Sequence, residues 1–133
     1  MISVRGFDHL VLCVSDAERS VAWYADVLGL APERLEEWRD GKVPFVSLRI
    51  DHSTLIDLLE RPADGTNVDH FSLVVDDAVD LFELAASGRV EVVHEPFRIW
   101  GARGHGLGMY IADPDGNTVE LKRYAPGDEA LQS

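Results

Sequence analysis

Two Asp-His dipeptides carry the first chemical signal in this 133-residue chain. Asp8-His9 opens the stretch DHLVLCVSDA and Asp69-His70 opens DHFSLVVDDA, at a constant offset of 61 residues. Two carboxylates echo in the same way, in Ile56-Asp57-Leu58 and Val119-Glu120-Leu121. Imidazole nitrogens and carboxylate oxygens are donors of intermediate hardness, suited to Zn²⁺, Ni²⁺, Co²⁺, Mn²⁺ or Fe²⁺. Two His with one carboxylate leave coordination positions open, as oxygen-activating iron needs. A second carboxylate neutralises a dication and suits proton-transfer or Lewis-acid chemistry. A lone strand His is ordinarily a satisfied core residue; its recurrence at matching positions, beside recurring acids, is what favours ligation. His9, His70 and Glu120 are therefore candidate ligands. Asp57 reaches about 1.5 Å less far than a Glu from the same backbone. It reads either as a fourth ligand or as an acceptor for an imidazole N–H.

The elements that must position these groups also repeat. Residues 7–14 alternate as a strand, and Ser15 with Glu18 reads as a capping box. Ala17, Val21, Tyr24 and Leu28 follow at helical spacing, with Gly29 as the stop. Strand-like runs lie near 31–39, 43–50 and 53–60, with Asp40-Gly41 as a hairpin turn and Pro62, Asp64 and Gly65 as linker. The second half predicts a strand over 68–75 and a helix from Asp76-Asp77 through Ala86, ended by Gly88. Strands follow near 90–96, 106–113 and 117–124, with a tight turn at Asp115-Gly116. Each half reads βαβββ, an α+β fold. The modules span 5–61 and 66–124 of a single domain, 1–133, with 125–133 as a flexible tail. Strand alternation sets His9, Val11 and Cys13 opposite Leu10, Leu12 and Val14, and His70, Ser72 and Val74 opposite Phe71 and Leu73. If the two sheets curl toward one another, both imidazoles and both acids converge.

Composition narrows the partners. The net charge of −12 opposes nucleic-acid binding, because phosphates would be repelled. It is compatible with a metal or a cationic ligand, and equally with a merely solubilising surface. No apolar run approaches the 18 or so residues of a membrane span, and the start lacks a signal-peptide pattern, so a cytoplasmic protein is expected. One cysteine, Cys13, excludes an internal disulfide framework and a multi-cysteine zinc site. It reads as a buried thiol or as a neighbour of the metal.

The repeated modules, His9, His70 and the closing run MYIADPDGNTVELKRY resemble the vicinal oxygen chelate superfamily over residues 5–124. That superfamily includes glyoxalase I, extradiol dioxygenases, fosfomycin-resistance transferases, methylmalonyl-CoA epimerase and the metal-free bleomycin-resistance proteins. The resemblance implies mixed sheets curled into an open, incomplete barrel, a divalent metal inside, and often a homodimer. Gly-Ala-Arg-Gly in GARGHGLGMYI looks most like the small single-domain glyoxalase-like members. His9 and His70 match the ligands of the first strand of each module, and Glu120 the carboxylate of the last strand. Asp57 sits where glyoxalase I has its module-one Glu. In glyoxalase-like chemistry such carboxylates, here Glu120 and Asp57, can leave the metal and act as the proton-transferring base. The extradiol signature Tyr-x-x-Asp-Pro-x-Gly-x-x-x-Glu is satisfied from Tyr110 to Glu120. Tyr110 is thereby a candidate substrate hydrogen-bonder, with core packing as its alternative. The chain departs from the dioxygenases in having Gly101 near the place of their catalytic His. It departs from the fosfomycin enzymes in having Val11 two residues after the first His and Lys122-Arg123-Tyr124 after the last Glu.

The remaining features are less specific. Arg98, Trp100, Arg103 and His105 fall in a Gly-rich stretch, 98–108, that reads as a specificity loop or a plain hairpin connection. Trp38 and Phe45 are cavity walls, core or dimer contacts, and His52 and His94 have no supporting pattern. The expected function is a metal-dependent lyase or isomerase of glyoxalase type, acting on a small chelating molecule. An Fe²⁺ ring-cleaving dioxygenase and a metal-free drug- or metabolite-binding protein are the alternatives.

Overall fold

The computed structural model describes residues 3, 6–62 and 65–131. The chain divides into two compact units, Met1–Asn67 and Val68–Ser133, each built on one open four-stranded mixed sheet. The fold class is α+β, and neither sheet closes on itself.

The first unit comprises β1 (His9–Val14), α1 (Ala17–Leu28), β2 (Pro32–Glu33), α2 (Leu35–Arg39), β3 (Val46–Arg49) and β4 (Leu55–Glu60). The sheet order is β1-β4-β3-β2, with β1 and β4 parallel. Parallel neighbours need a crossover, and α1 supplies it. Its apolar stripe of Ala17, Val21 and Tyr24 is buried with Leu12, Val14, Leu48, Ile56 and Leu58. The cap is Asp16, whose carboxylate accepts the Arg19 amide at 3.0 Å; the expected Ser15–Glu18 box does not form the cap. Gly29 closes the helix at φ 69°, a left-handed geometry that costs glycine little.

The expected strand over 31–39 is a two-residue strand followed by α2. Leu35 through Arg39 are good helix formers, and Arg39 ties Glu36 (2.6 Å) and Glu18 of α1 (2.7 Å). Asp40-Gly41 consequently ends a helix instead of turning a hairpin.

The second unit comprises β5 (Phe71–Val74), α3 (Leu81–Ala86), β6 (Glu91–Gly101), β7 (Gly104–Ala112) and β8 (Thr118–Arg123), in sheet order β5-β8-β7-β6. The helix starts later than its sequence suggests. Asp76 accepts the Ala78 amide in a turn, and Asp80 is the N-cap. The Gly-rich stretch 98–108 is mostly paired strand, joined through Ala102-Arg103, so of the two readings the hairpin connection is the one that forms. Its glycines serve packing: a Cβ on Gly106 would meet the Arg123 carbonyl at 2.6 Å, and one on Gly108 would meet Glu120 Oε1 at 2.9 Å.

The expected Asp115-Gly116 turn forms. Asp113 accepts the amides of Asp115 (2.9 Å) and Asn117 (2.7 Å), and Gly116 takes φ 80°. This turn fixes the β7–β8 register that sets Tyr110 opposite Glu120.

Beyond Tyr124, a one-turn 3-10 helix (Asp128–Ala130) packs on the unit. Buried Asp128 receives Arg123 through both carboxylate oxygens (2.9 and 2.8 Å) and the Ala125 amide. The expected frayed tail is thus anchored at its start; residues 132 and 133 lie outside the described residues.

Candidate metal centre

His70 sits just before β5, with its Nδ1 2.7 Å from the carboxylate of Asp69. An ionised carboxylate only accepts hydrogen bonds, so Nδ1–H is the donor and Nε2 is left for another partner. Nε2 lies 3.9 Å from Oε2 of Glu120 on β8. Glu120 is only 6 % exposed, and its Oε1 has no hydrogen-bond partner among the described atoms. A buried carboxylate oxygen left bare costs several kcal/mol unless something compensates it. A cation shared with His70 Nε2 fits that requirement. The support of the ring by a carboxylate is also what ligating imidazoles use to fix their orientation.

Tyr110 stands opposite Glu120, its ring centroid 5.4 Å from that of His70. Burial, reinforced by the charges of Glu120 and Asp69, pushes the phenol pKa up, so Tyr110 remains a hydrogen-bond donor. Phe97 (5.7 Å) and His94 (6.0 Å) meet the same ring. Two irregularities in the β6–β7 pairing, on either side of His94, present these side chains; Pro96 within them has no N–H for the ladder.

The first unit repeats the imidazole half of this arrangement. His9 Nδ1 lies 2.7 Å from Asp8. Its carboxylate half differs. Asp57, 4 % exposed, accepts the Ser47 hydroxyl at 2.5 Å; Ser47 receives Arg34 at 3.0 Å, and Arg34 lies 3.9 Å from Asp57. Arg34 stacks over the Phe45 ring at 5.5 Å. Asp57 Oδ1 therefore already accepts a hydrogen bond where Glu120 Oε1 accepts none among the described atoms. Within either unit, among the described residues, no three His, Cys, Asp or Glu side chains gather into a preassembled metal cluster.

The candidate residues thus separate. His70, Glu120 and Tyr110 are brought together in the second unit, and His9 and Asp57 share one sheet face in the first. Cys13, on that face, accepts Arg61 Nε at 3.1 Å. Trp100 is 69 % exposed near the β6–β7 hairpin tip, edge-on to His105. Trp38 is half-buried on α2. Sequence reasoning did not find Ser47 and Arg34, which hold Asp57, or Gly108, which clears space for Glu120. Ser47 was reachable, because it stands to Asp57 as Tyr110 stands to Glu120.

The fold has known relatives. A family model, the Glyoxalase/Bleomycin resistance protein/Dioxygenase superfamily, matches residues 6–121, and the chain belongs to that superfamily. It is 30 % identical over 122 residues to virulence protein STM3117 of Salmonella typhimurium, covering 88 % of this chain and 83 % of that protein. It is 29 % identical to a lactoylglutathione lyase of Neisseria meningitidis, covering 92 % and 94 %. The fold is shared with the crystal structure of STM3117 (TM-score 0.70, 24 % identity, 93 % and 100 % covered). It is shared too with oxidase ChaP-H2 (TM-score 0.60, 20 % identity, 96 % and 99 % covered). No helix among the described residues is long and apolar enough to cross a membrane.

Proposed function

We propose that this chain is a divalent-metal enzyme of glyoxalase type, acting by lyase or isomerase chemistry on a small molecule that chelates through adjacent oxygens. The observation that carries this reading is the Asp69-supported imidazole of His70 facing a buried Glu120 with an unpartnered oxygen. The lactoylglutathione lyase relative supports the reaction class. His70 and Glu120 are the candidate ligands in the second unit. His9, held by Asp8, and Asp57 are the candidate ligands in the first. The metal, when bound, supplies Lewis-acid polarisation of substrate oxygens. Glu120 Oε1 is the atom free to hold a proton taken from the substrate. Tyr110 keeps its proton and donates a hydrogen bond to a substrate oxygen. Asp57 is restrained by Ser47 and Arg34, so Glu120 is the better base. A homodimer is the assembly this reading carries, and light scattering checks it.

The test is metal content of tag-free protein by mass spectrometry, beside His70→Ala. About one metal per chain, lost in the variant, supports the site. No uptake of Zn²⁺, Ni²⁺, Mn²⁺, Co²⁺ or Fe²⁺ overturns it and leaves a metal-free binding protein of the same superfamily.

A second reading, an Fe²⁺ ring-cleaving dioxygenase, is favoured by one observation. The rings of Tyr110, Phe97 and His94, mutually tilted by 45° to 75°, cluster beside His70 as an aromatic wall for a substrate ring. Oxygen uptake with catechols after Fe²⁺ loading separates it from the first.

A further inference from the structure

Lys122 is two residues beyond Glu120 on β8, so their side chains leave the same face of the sheet. It is 2 % exposed, an unusual burial for an ammonium. It bridges from β8 toward β6, donating to the Ile99 carbonyl, and packs against Gly101, where a Cβ would meet its Cε at 2.9 Å. Its Nζ lies 5.5 Å from the centroid of the Tyr124 ring. Arg103, from the β6–β7 turn, lies 5.3 Å from the same centroid, and its amide donates to the Tyr124 hydroxyl. Two cations therefore flank one aromatic ring. Among the described residues, neither makes an ion pair with a carboxylate, whereas Arg34, Arg39, Arg49 and Arg123 each do.

Burying an ammonium without a direct ion pair is costly, more so with several N–H groups left to satisfy; Lys122 has only the nearby charge of Glu120 to favour its charged form. Buried Lys122 beside exposed Arg103 is suited to an anion arriving from outside. Arg103 is exposed and gives the approach. Glu120 supplies the opposite requirement, a place for a cation, at about 7 Å of strand from Lys122.

We propose that Lys122 and Arg103, gathered on Tyr124, bind a carboxylate of the substrate, so that the substrate is a short acid with vicinal oxygens at one end and a carboxylate at the other. This rests on the metal-site reading for the vicinal-oxygen end only. The cation corner stands on its own geometry. The competing role for Lys122 is a brace between β8 and β6.

The test titrates the full Zn²⁺-loaded chain, by calorimetry, with 2-hydroxyglutarate and with 2-hydroxypentanoate. The two share the chelating head and differ only in the distal carboxylate. The expected result is about 10-fold tighter binding of 2-hydroxyglutarate. The preference falls to within about 2-fold in Lys122→Met and to about 3-fold in Arg103→Ala, while 2-hydroxypentanoate binds unchanged. Equal affinities in the unsubstituted chain, or failure of both acids to bind it, overturn the proposal. So does a preference that survives Arg103→Ala while Lys122→Met merely lowers the melting temperature, which is the brace. If the chain takes up no metal, the metal-site reading fails by itself. The same titration of metal-free protein must then still favour the dicarboxylate, and equal binding there overturns the cation corner separately.

Discussion

His70 Nε2 lies 3.9 Å from Glu120 Oε2, while the other ring nitrogen of His70 is held 2.7 Å from Asp69. The imidazole is thus oriented from behind and its free nitrogen is aimed at a buried acid. Asp8 and His9 repeat the first half of that relationship.

The orienting acids act on metal affinity through the ring. Asp69→Ala is expected to weaken Zn²⁺ binding by about 10- to 100-fold with little loss of stability, because Asp69 is almost fully exposed. Competition with a chromophoric chelator measures this. An unchanged affinity would assign Asp69 to the surface.

Asp57 is the acid whose loss of partners should affect folding. Ser47→Ala removes the 2.5 Å hydrogen bond to a buried carboxylate. A destabilisation of about 1–3 kcal/mol is expected in urea unfolding. Glu120 has no such bond to lose, so Glu120→Gln should be neutral or mildly stabilising in the metal-free protein while abolishing metal uptake. Equal destabilisation by both variants would contradict the asymmetry between the two acids.

The Arg123–Asp128 pair governs acid stability at the C-terminal end. Hydrogen bonds from Arg123 come first among the causes that hold the Asp128 carboxyl below its ordinary pKa of 3.8. A depressed carboxylate stabilises the fold in full above the unfolded-state pKa. That contribution is lost as pH falls through the lower folded-state value. Asp128→Asn should therefore cost stability at pH 7, by about 3 kcal/mol, and cost less below about pH 4. Thermal melts between pH 2 and pH 7 test the sign.

Close packing sets the outcome at the hairpin glycines. A Cβ on Gly106 would meet a backbone carbonyl at 2.6 Å, and one on Gly108 would meet the Ile99 and Glu120 side chains at 2.8 and 2.9 Å. Side chains yield and backbone does not. Gly106→Ala is expected to be destabilising by about 1–3 kcal/mol, and Gly108→Ala by less. Gly108→Ala should nonetheless shift Glu120 and weaken metal binding. The reverse order of melting temperatures would show that the β7 backbone adjusts more easily than Glu120 does.

Much of this was legible in the chain itself. Alternation over HLVLCV and FSLV set the strand faces, because side chains on a strand have period two whatever surrounds them. Helical spacing with Gly29 set α1, and DPDGN set the β7–β8 turn. Local signals misled where they were compatible with two structures. Leu35-Glu36-Glu37-Trp38-Arg39 suits a helix once Arg39 finds Glu18, a partner 21 residues away. The glycines between 98 and 108 suit either a specificity loop or a hairpin in sequence; the structure adds that their missing Cβ atoms make room for Tyr124, Lys122 and Glu120.

The sequence by itself determined the repeat, the residue types at the site and the face each occupies, since those follow from backbone periodicity. Only the tertiary structure decided that the two matching acids differ, Asp57 bound by Ser47 and Arg34 and Glu120 left open. Hydrogen-bond satisfaction depends on which strands pair and in what register, and that is fixed by packing across the whole sheet.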